Sequence, residues 1–286
     1  MMINPIRRQQ VERAGFALLA VAALLVVLPI LLVIVAILVR GISAINWEFL
    51  TAMPRDGMKA GGIFPAIVGT LLLTLGTALA AIPVGVAGAI YLAEYARDTW
   101  LTRAIRLAVI NLAGIPSVVY GLFGLGLFVL FLQFGTSILA GSLTLAIMTL
   151  PVIISTSEEA LRAVPVEFRT VSASLGGTRW QATRTVVLPQ ALPGIITGVI
   201  LGLLRAAGET APILFTVAAF YLPQLPASPL DQTMALPYHL YVIVTQVPGM
   251  PAEIQYGTAL VLLVLVLSLN LVATLIRSRF RRQRQW

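Results

Sequence analysis

The chain has 286 residues, 59% of them hydrophobic and 10% charged, whereas an ordinary soluble domain is about 45–50% apolar and about 25% charged. That balance excludes a soluble single-domain enzyme, a disordered chain and a disulfide-rich secreted module. The net charge of +8 arises from 18 Arg and one Lys against 11 acidic residues, and with no Cys and a single His, His239, thiolate chemistry and multi-histidine metal clusters are excluded as well.

Six segments offer the roughly 20 apolar residues needed to cross a ~30 Å hydrocarbon core: 15–39, 65–93, 107–131, 138–157, 194–220 and 258–276. The first follows Arg7, Arg8 and Arg13, but its apolar run is too long for a cleaved signal peptide, so it is expected to stay as a signal anchor. The fourth is the most polar. With the N-terminus in the cytoplasm, the inside segments carry 15 Arg and the outside segments only Arg40, Arg55 and Lys59, while Arg205 lies inside a span. The excess of positive charge inside predicts both termini in the cytoplasm. The expected organisation is an all-α polytopic membrane protein with six transmembrane helices. It has a cytoplasmic start (1–14), a transmembrane domain (15–276) with a long inside loop (158–189), and a basic tail (277–286). That tail reads as an anchor against anionic lipid headgroups, and no nucleic-acid partner is expected. The outside loops, 41–64 and 221–257, are too short to be domains.

A phosphate-cradling GxxxxGK[ST] loop needs a Lys followed by Ser or Thr, and Lys59 is followed by Ala60. There is no HExxH and no GxSxG. His239 is expected to be an interfacial side chain beside Tyr238 and Tyr241. Transport is what remains, with no catalytic residue and no cofactor on this chain, and the energy source sits on another polypeptide or in an ion gradient.

The inside loop carries pattern of its own. Pro165 suits a first helical turn, and Phe168, Val171 and Leu175 recur at helical spacing. Gly176-Gly177 offers a left-handed helix stop. Thr178 and Gln181 form a capping-box pair opening a second short helix, which carries Trp180 and is expected to end before Pro189. Such a helix–turn–helix either packs on its own bundle or offers a docking surface to a cytoplasmic partner.

In the fifth span, Arg205 and Glu209 stand four residues apart, near the expected midplane. A charge there costs at least ~2.5–3.5 kcal/mol, so it persists when paired or when facing water. Gly208, Thr210 and Pro212 surround the two. Pro212 cannot donate to the Gly208 carbonyl, which loosens the helix. A guanidinium beside a hydroxyl suits an oxyanion, and Glu209 accepts a hydrogen bond from a protonated anion while repelling a bare one. The candidate substrate-path residues are therefore Arg205, Glu209 and Thr210. The alternative is an ion pair that only glues helices, and such a pair is expected to tolerate exchange of its two members.

Two strings resemble a known family. Gly176-Gly177-Thr178-Arg179-Trp180-Gln181 and Val186-Val187-Leu188-Pro189 resemble the coupling motif of ABC-transporter permeases, although Thr170-Val171-Ser172 replaces its opening Glu-Ala-Ala. Arg205-Ala206-Ala207-Gly208-Glu209-Thr210-Ala211-Pro212 resembles the fifth helix of the phosphate permeases of that superfamily, the PstA type. Further similarity lies in Gly61–Leu71, Tyr91-Leu92-Ala93-Glu94-Tyr95 and Gly114–Phe123. The resemblance implies the type I ABC importer permease fold in a bacterial or archaeal plasma membrane. It also implies a pair of ATPase subunits that hold ATP and Mg, a second permease of the PstC type, an extracytoplasmic phosphate-binding protein, and phosphate as substrate. It puts Phe168, Gly176, Gly177, Trp180, Leu188 and Pro189 at the ATPase contact. Permeases for sulfate, molybdate or amino acids, and a self-contained ion-coupled carrier, are the alternatives.

Overall fold

The computed structural model describes residues 5–282, with side chains described from 12 to 279. The first residues of the 1–14 segment and the end of the basic tail fall outside these bounds, as do the side chains of Arg7, Arg8, Arg281, Arg282 and Arg284. The chain begins with α1 (Pro5–Gly41) and the short α2 (Trp47–Thr51), followed by a two-residue antiparallel pair, β1 (Pro54–Arg55) with β2 (Ala60–Gly61). Next come α3 (Phe64–Ile90), which ends in a π turn at Tyr91–Tyr95, then α4 (Trp100–Ala113) and α5 (Ser117–Gly124), which runs into a π turn at Leu125–Phe131. After α6 (Ile138–Arg162) lie α7 (Val166–Ser174) and α8 (Arg179–Ala182), and a π turn at Thr183–Val187 leads into α9 (Leu188–Gly208). The chain closes with α10 (Ala211–Thr216), α11 (Leu236–Thr245) and α12 (Ala252–Arg282).

Helix α6 is the central post, packed between α3 and α9 and touched by α4, α5 and α10. This explains why the fourth span is the most polar. Its hydroxyls include buried ones that bond within the helix, as Thr144 Oγ1 does to the Ala140 carbonyl (2.7 Å) and Thr149 Oγ1 to that of Ala146 (3.0 Å), and two, those of Ser142 and Ser157, that are buried without a partner among the described residues. Small residues allow the close packing that membrane helices rely on, as where Gly198 of α9 meets Thr156 of α6. The first turn of α6 is buried, and its free N–H groups are satisfied from the loop before α11: Ile138 N–H donates to the Asp231 carbonyl (2.9 Å) and Leu139 N–H to that of Pro229 (2.8 Å). By contrast, α1 is apolar on all sides and exposed along its length from Phe16 to Val39. It meets the body near Arg40, whose guanidinium lies 5.3 Å from the Tyr256 ring centroid and donates to the Tyr256 hydroxyl (3.1 Å).

The third span is not the single helix expected over 107–131. α4 and α5 meet at 104°, because Pro116 lacks the N–H that would continue the helix from the Leu112 carbonyl. That carbonyl accepts instead from Ile115 N–H (3.1 Å) and from the Tyr120 hydroxyl (2.8 Å), which bridges the break. The bent pair still runs from one end of the bundle to the other. Arg106 of α4 reaches Glu158 at the C-terminal end of α6, while Thr136, past α5, bonds to Gln232 at the opposite end.

His239 is not interfacial. It is 2% exposed on α11, and its Nδ1 has no hydrogen-bond partner among the described residues. Packing encloses the imidazole, whereas the rings of Tyr238 and Tyr241 stack on each other at 6.2 Å.

Candidate functional site

Arg205 and Glu209 meet through one long contact, Nε to Oε1 at 3.4 Å, with side chains 36% and 17% exposed. The four-residue spacing would put both on one face of a continuous helix, but Glu209 lies beyond the end of the helix that carries Arg205. α9 ends at Gly208, Glu209 is extended (φ −76°, ψ 137°), and α10 begins after Thr210. Pro212 accounts for the stop, since it cannot donate to the Gly208 carbonyl. Arg205 therefore stands in the last turn of α9, where the helix dipole favours a cation. Glu209 lies just before α10 and beside the start of α11, where helix N-termini favour an anion. Neither Nη group of Arg205 is hydrogen-bonded among the described residues, and the Thr210 hydroxyl makes no cap bond.

Glu209 lines a slot of about 10 Å³, no larger than one water, with Thr70 and Thr74 of α3, Leu145 of α6 and Ala235 and Pro237 at the start of α11. Thr70 holds that start in place by accepting the Leu236 N–H at 2.8 Å. Thr74 lies ten residues into α3, about 15 Å along the axis from its start and about 30 Å from Glu94 at the other end, so the slot lies inside the span. Facing Pro212, Gly121 of α5 lets the two segments touch, as a Cβ there would fall 3.0 Å from the Ala211 carbonyl oxygen.

At the arginine-rich end, α7 stops at Gly176, which adopts φ +81°. Gly177 N–H donates to the Ser172 carbonyl at 3.0 Å, and a Cβ on Gly177 would come within 2.8 Å of that oxygen. The capping box forms in both directions: Gln181 N–H donates to Thr178 Oγ1 (3.2 Å), and Thr178 N–H donates to Gln181 Oε1 (2.8 Å). The second helix does not end before Pro189. It continues through the π turn at 183–187 into α9, giving one helix from Arg179 to Gly208. The wider turn accommodates a proline that neither donates nor fits against the carbonyl four residues back.

The expected contact set divides. Phe168 and Leu188 pack inward against Leu161, Val164, Val187, Ala191 and Ile195, and Pro189 lies inside the long helix. Trp180 and the turn glycines remain at the surface, as do Val166, Val171 and Leu175, the last 84% exposed.

Residues 81–283 match the family model described as the binding-protein-dependent transport system inner membrane component. The chain belongs to this family. The probable ABC transporter permease YqgI of Bacillus subtilis is 36% identical over 83% of this chain and 85% of its own length. The phosphate transport system permease PstA 2 of Mycobacterium bovis is 34% identical over 97% and 91%. The probable phosphate permease PstA of Methanocaldococcus jannaschii is 31% identical over 93% and 95%. Among solved structures, a bacterial ABC transporter that imports alginate superposes with a TM-score of 0.69 at 14% identity, covering 96% of this chain and 99% of that one. The MetNI methionine transporter follows at 0.61 and 18%, covering 75% and 94%. The fold is that of type I ABC importer permeases.

A permease component of this family is a multi-pass membrane protein, generally non-catalytic, that works with an ATPase, a second permease and a binding protein. The permease reading brings into view residues that the sequence left unassigned. Arg169 of α7 grips Glu94 with two bonds, Nη2–Oε1 at 2.7 Å and Nε–Oε2 at 3.1 Å. Glu158 of α6 accepts from Arg106 Nε (2.8 Å) and Arg162 Nε (2.9 Å), and Arg106 also donates to the Leu92 carbonyl (2.9 Å). The separations of 75 and 52 residues leave no periodic trace. The one signal within reach was Glu94, a lone carboxylate at the end of an apolar run.

Proposed function

We propose that this permease carries inorganic phosphate, with Arg205, Glu209 and Thr210 on the translocation path. The observation that supports the path is the under-coordinated guanidinium within the span. A guanidinium has five N–H donors, and here only Nε is engaged, at 3.4 Å, while the hydroxyl of Thr210, next in the chain to Glu209, makes no cap bond. An oxyanion takes up the free Nη donors. Glu209 accepts a hydrogen bond from the hydroxyl of hydrogen phosphate and repels sulfate, which carries no proton at neutral pH. The relatives named phosphate permeases, 31–34% identical over most of the chain, support the same substrate. Deleting the chain is expected to abolish ATP-driven phosphate uptake, and undiminished uptake in the deletion strain contradicts the assignment.

A second reading has an observation of its own in favour. The pair is oriented to suit the dipoles of α9, α10 and α11, as a purely structural ion pair would be. The two readings part in the double substitution discussed below.

The partners follow from the same proposal: an ATPase pair docking at the Gly176 turn, a second, homologous permease, and an extracytoplasmic phosphate-binding protein. ATP and Mg belong to the ATPase. Both termini face the cytoplasm, so the Gly176 turn is inside and the β1–β2 hairpin outside. Reporter fusions after Arg55 and Pro226 are expected to read outside and one after Thr178 inside. An outside signal at Thr178 overturns this orientation.

A further inference from the structure

We infer that Arg169, through Glu94, is the positioning residue that transmits movement of the docking turn to the path, with α3 as the lever. The inference rests on the proposed docking and path sites. Pro165 has no N–H, so the Leu161 carbonyl at the end of α6 lacks its donor four residues on and keeps a long bond from Val164 N–H (3.3 Å). The Arg169 guanidinium fills this place: Nη2 donates to the Leu161 carbonyl (2.9 Å), and Nη1 to those of Val164 (2.6 Å) and Pro165 (3.4 Å). Its remaining reach is spent on the two bonds to Glu94. One planar cation thus fastens α7 to the end of α6 and to the end of α3, a fork geometry that lysine cannot reproduce.

Glu94 is presented by a π turn, in which Ala96 N–H donates to the Tyr91 carbonyl at 2.8 Å. The same turn is held from the other side by Arg106, through the Leu92 carbonyl. From Glu94 the helix runs back to Thr74 and Thr70, which line the slot at Glu209. Thr74 and Glu94 are twenty residues apart, about 30 Å of continuous helix. A displacement of α7 therefore pulls on α3, which joins the cytoplasmic turn to the Arg205–Glu209 pair in addition to the long helix Arg179–Gly208. The Arg169 pair, bidentate and short, is a stiff joint, whereas the Arg205 pair, single and long, is a loose one.

The test uses the reconstituted complex with its ATPase, second permease and binding protein, and reads complex yield, ATP hydrolysis and phosphate moved per ATP. Glu94→Gln and Arg169→Gln are expected to assemble and hydrolyse ATP while phosphate per ATP falls about tenfold. Arg169→Lys, which keeps the charge but not the fork, is expected to fall between them and wild type. An unchanged ratio in both Gln variants overturns the inference, and so does loss of assembly in both, which would assign the joint to folding alone. A Gly176→Asp complex run alongside separates the two levels: if it keeps its ATPase, the docking site is misplaced, whatever the joint does.

Discussion

Phosphate uptake is expected to fall at least about tenfold when Arg205→Gln is combined with Glu209→Gln, although the complex still assembles. The double substitution is the informative one. Arg205→Gln alone leaves a mostly buried carboxylate without its partner, which costs several kcal/mol under either reading. Removing both charges relieves the cost of holding them inside the span and keeps hydrogen-bonding side chains of similar size. A pair that only glues helices is neutral to that change, or gains from it. A path residue loses its charged donors, worth about 1.5–3 kcal/mol in contact with an anion. Radiolabelled uptake by cells expressing the double variant decides between them, and normal uptake contradicts the path. Exchanging the two residues no longer discriminates. It would put Glu at the C-terminus of α9 and Arg at the N-termini of α10 and α11, against the helix dipoles at each position.

Gly176→Asp is expected to strip the ATPase from the complex, and Gly176→Asn to leave it bound. Gly176 sits at φ +81° with open space where a Cβ would stand, so the turn constrains conformation rather than volume. Asn and Asp both tolerate the left-handed region better than other residues with side chains. The two variants then differ chiefly in charge. The surroundings are the exposed Val171, Leu175 and Trp180, and an unpaired charge pressed into an apolar contact costs several kcal/mol. Co-purification with the ATPase checks this. Equal retention by the two variants removes the turn from the docking surface.

Much of the architecture was legible because apolar length is a strong signal in lipid. Where sequence and structure part, proline and tertiary packing are responsible. Residues 107–131 read as one span, since hydropathy registers composition and not the 104° bend that Pro116 permits. The break at Glu209 was half visible: Pro212 announced a loosened helix but not the extended residue that ends it. At the docking loop the stripe Phe168, Val171, Leu175 was visible as a period. Only packing shows that Phe168 turns toward Leu161 and Val187, leaving Leu175 out. His239 looked interfacial because histidine usually seeks water, and the fold buries it. The Arg169–Glu94 and Arg106–Glu158 contacts join distant segments, so no local spacing could reveal them.

Competition in a reconstituted system tests the central claim most directly. Proteoliposomes holding this chain with its second permease and ATPase receive binding protein and labelled phosphate outside and ATP inside. Uptake is predicted to depend on ATP and to be suppressed by arsenate, which shares phosphate's charge and protonation, but not by an equal concentration of sulfate. Suppression by sulfate equal to that by arsenate, or uptake that proceeds without ATP, contradicts the account of this chain as a phosphate-selective, ATP-coupled permease.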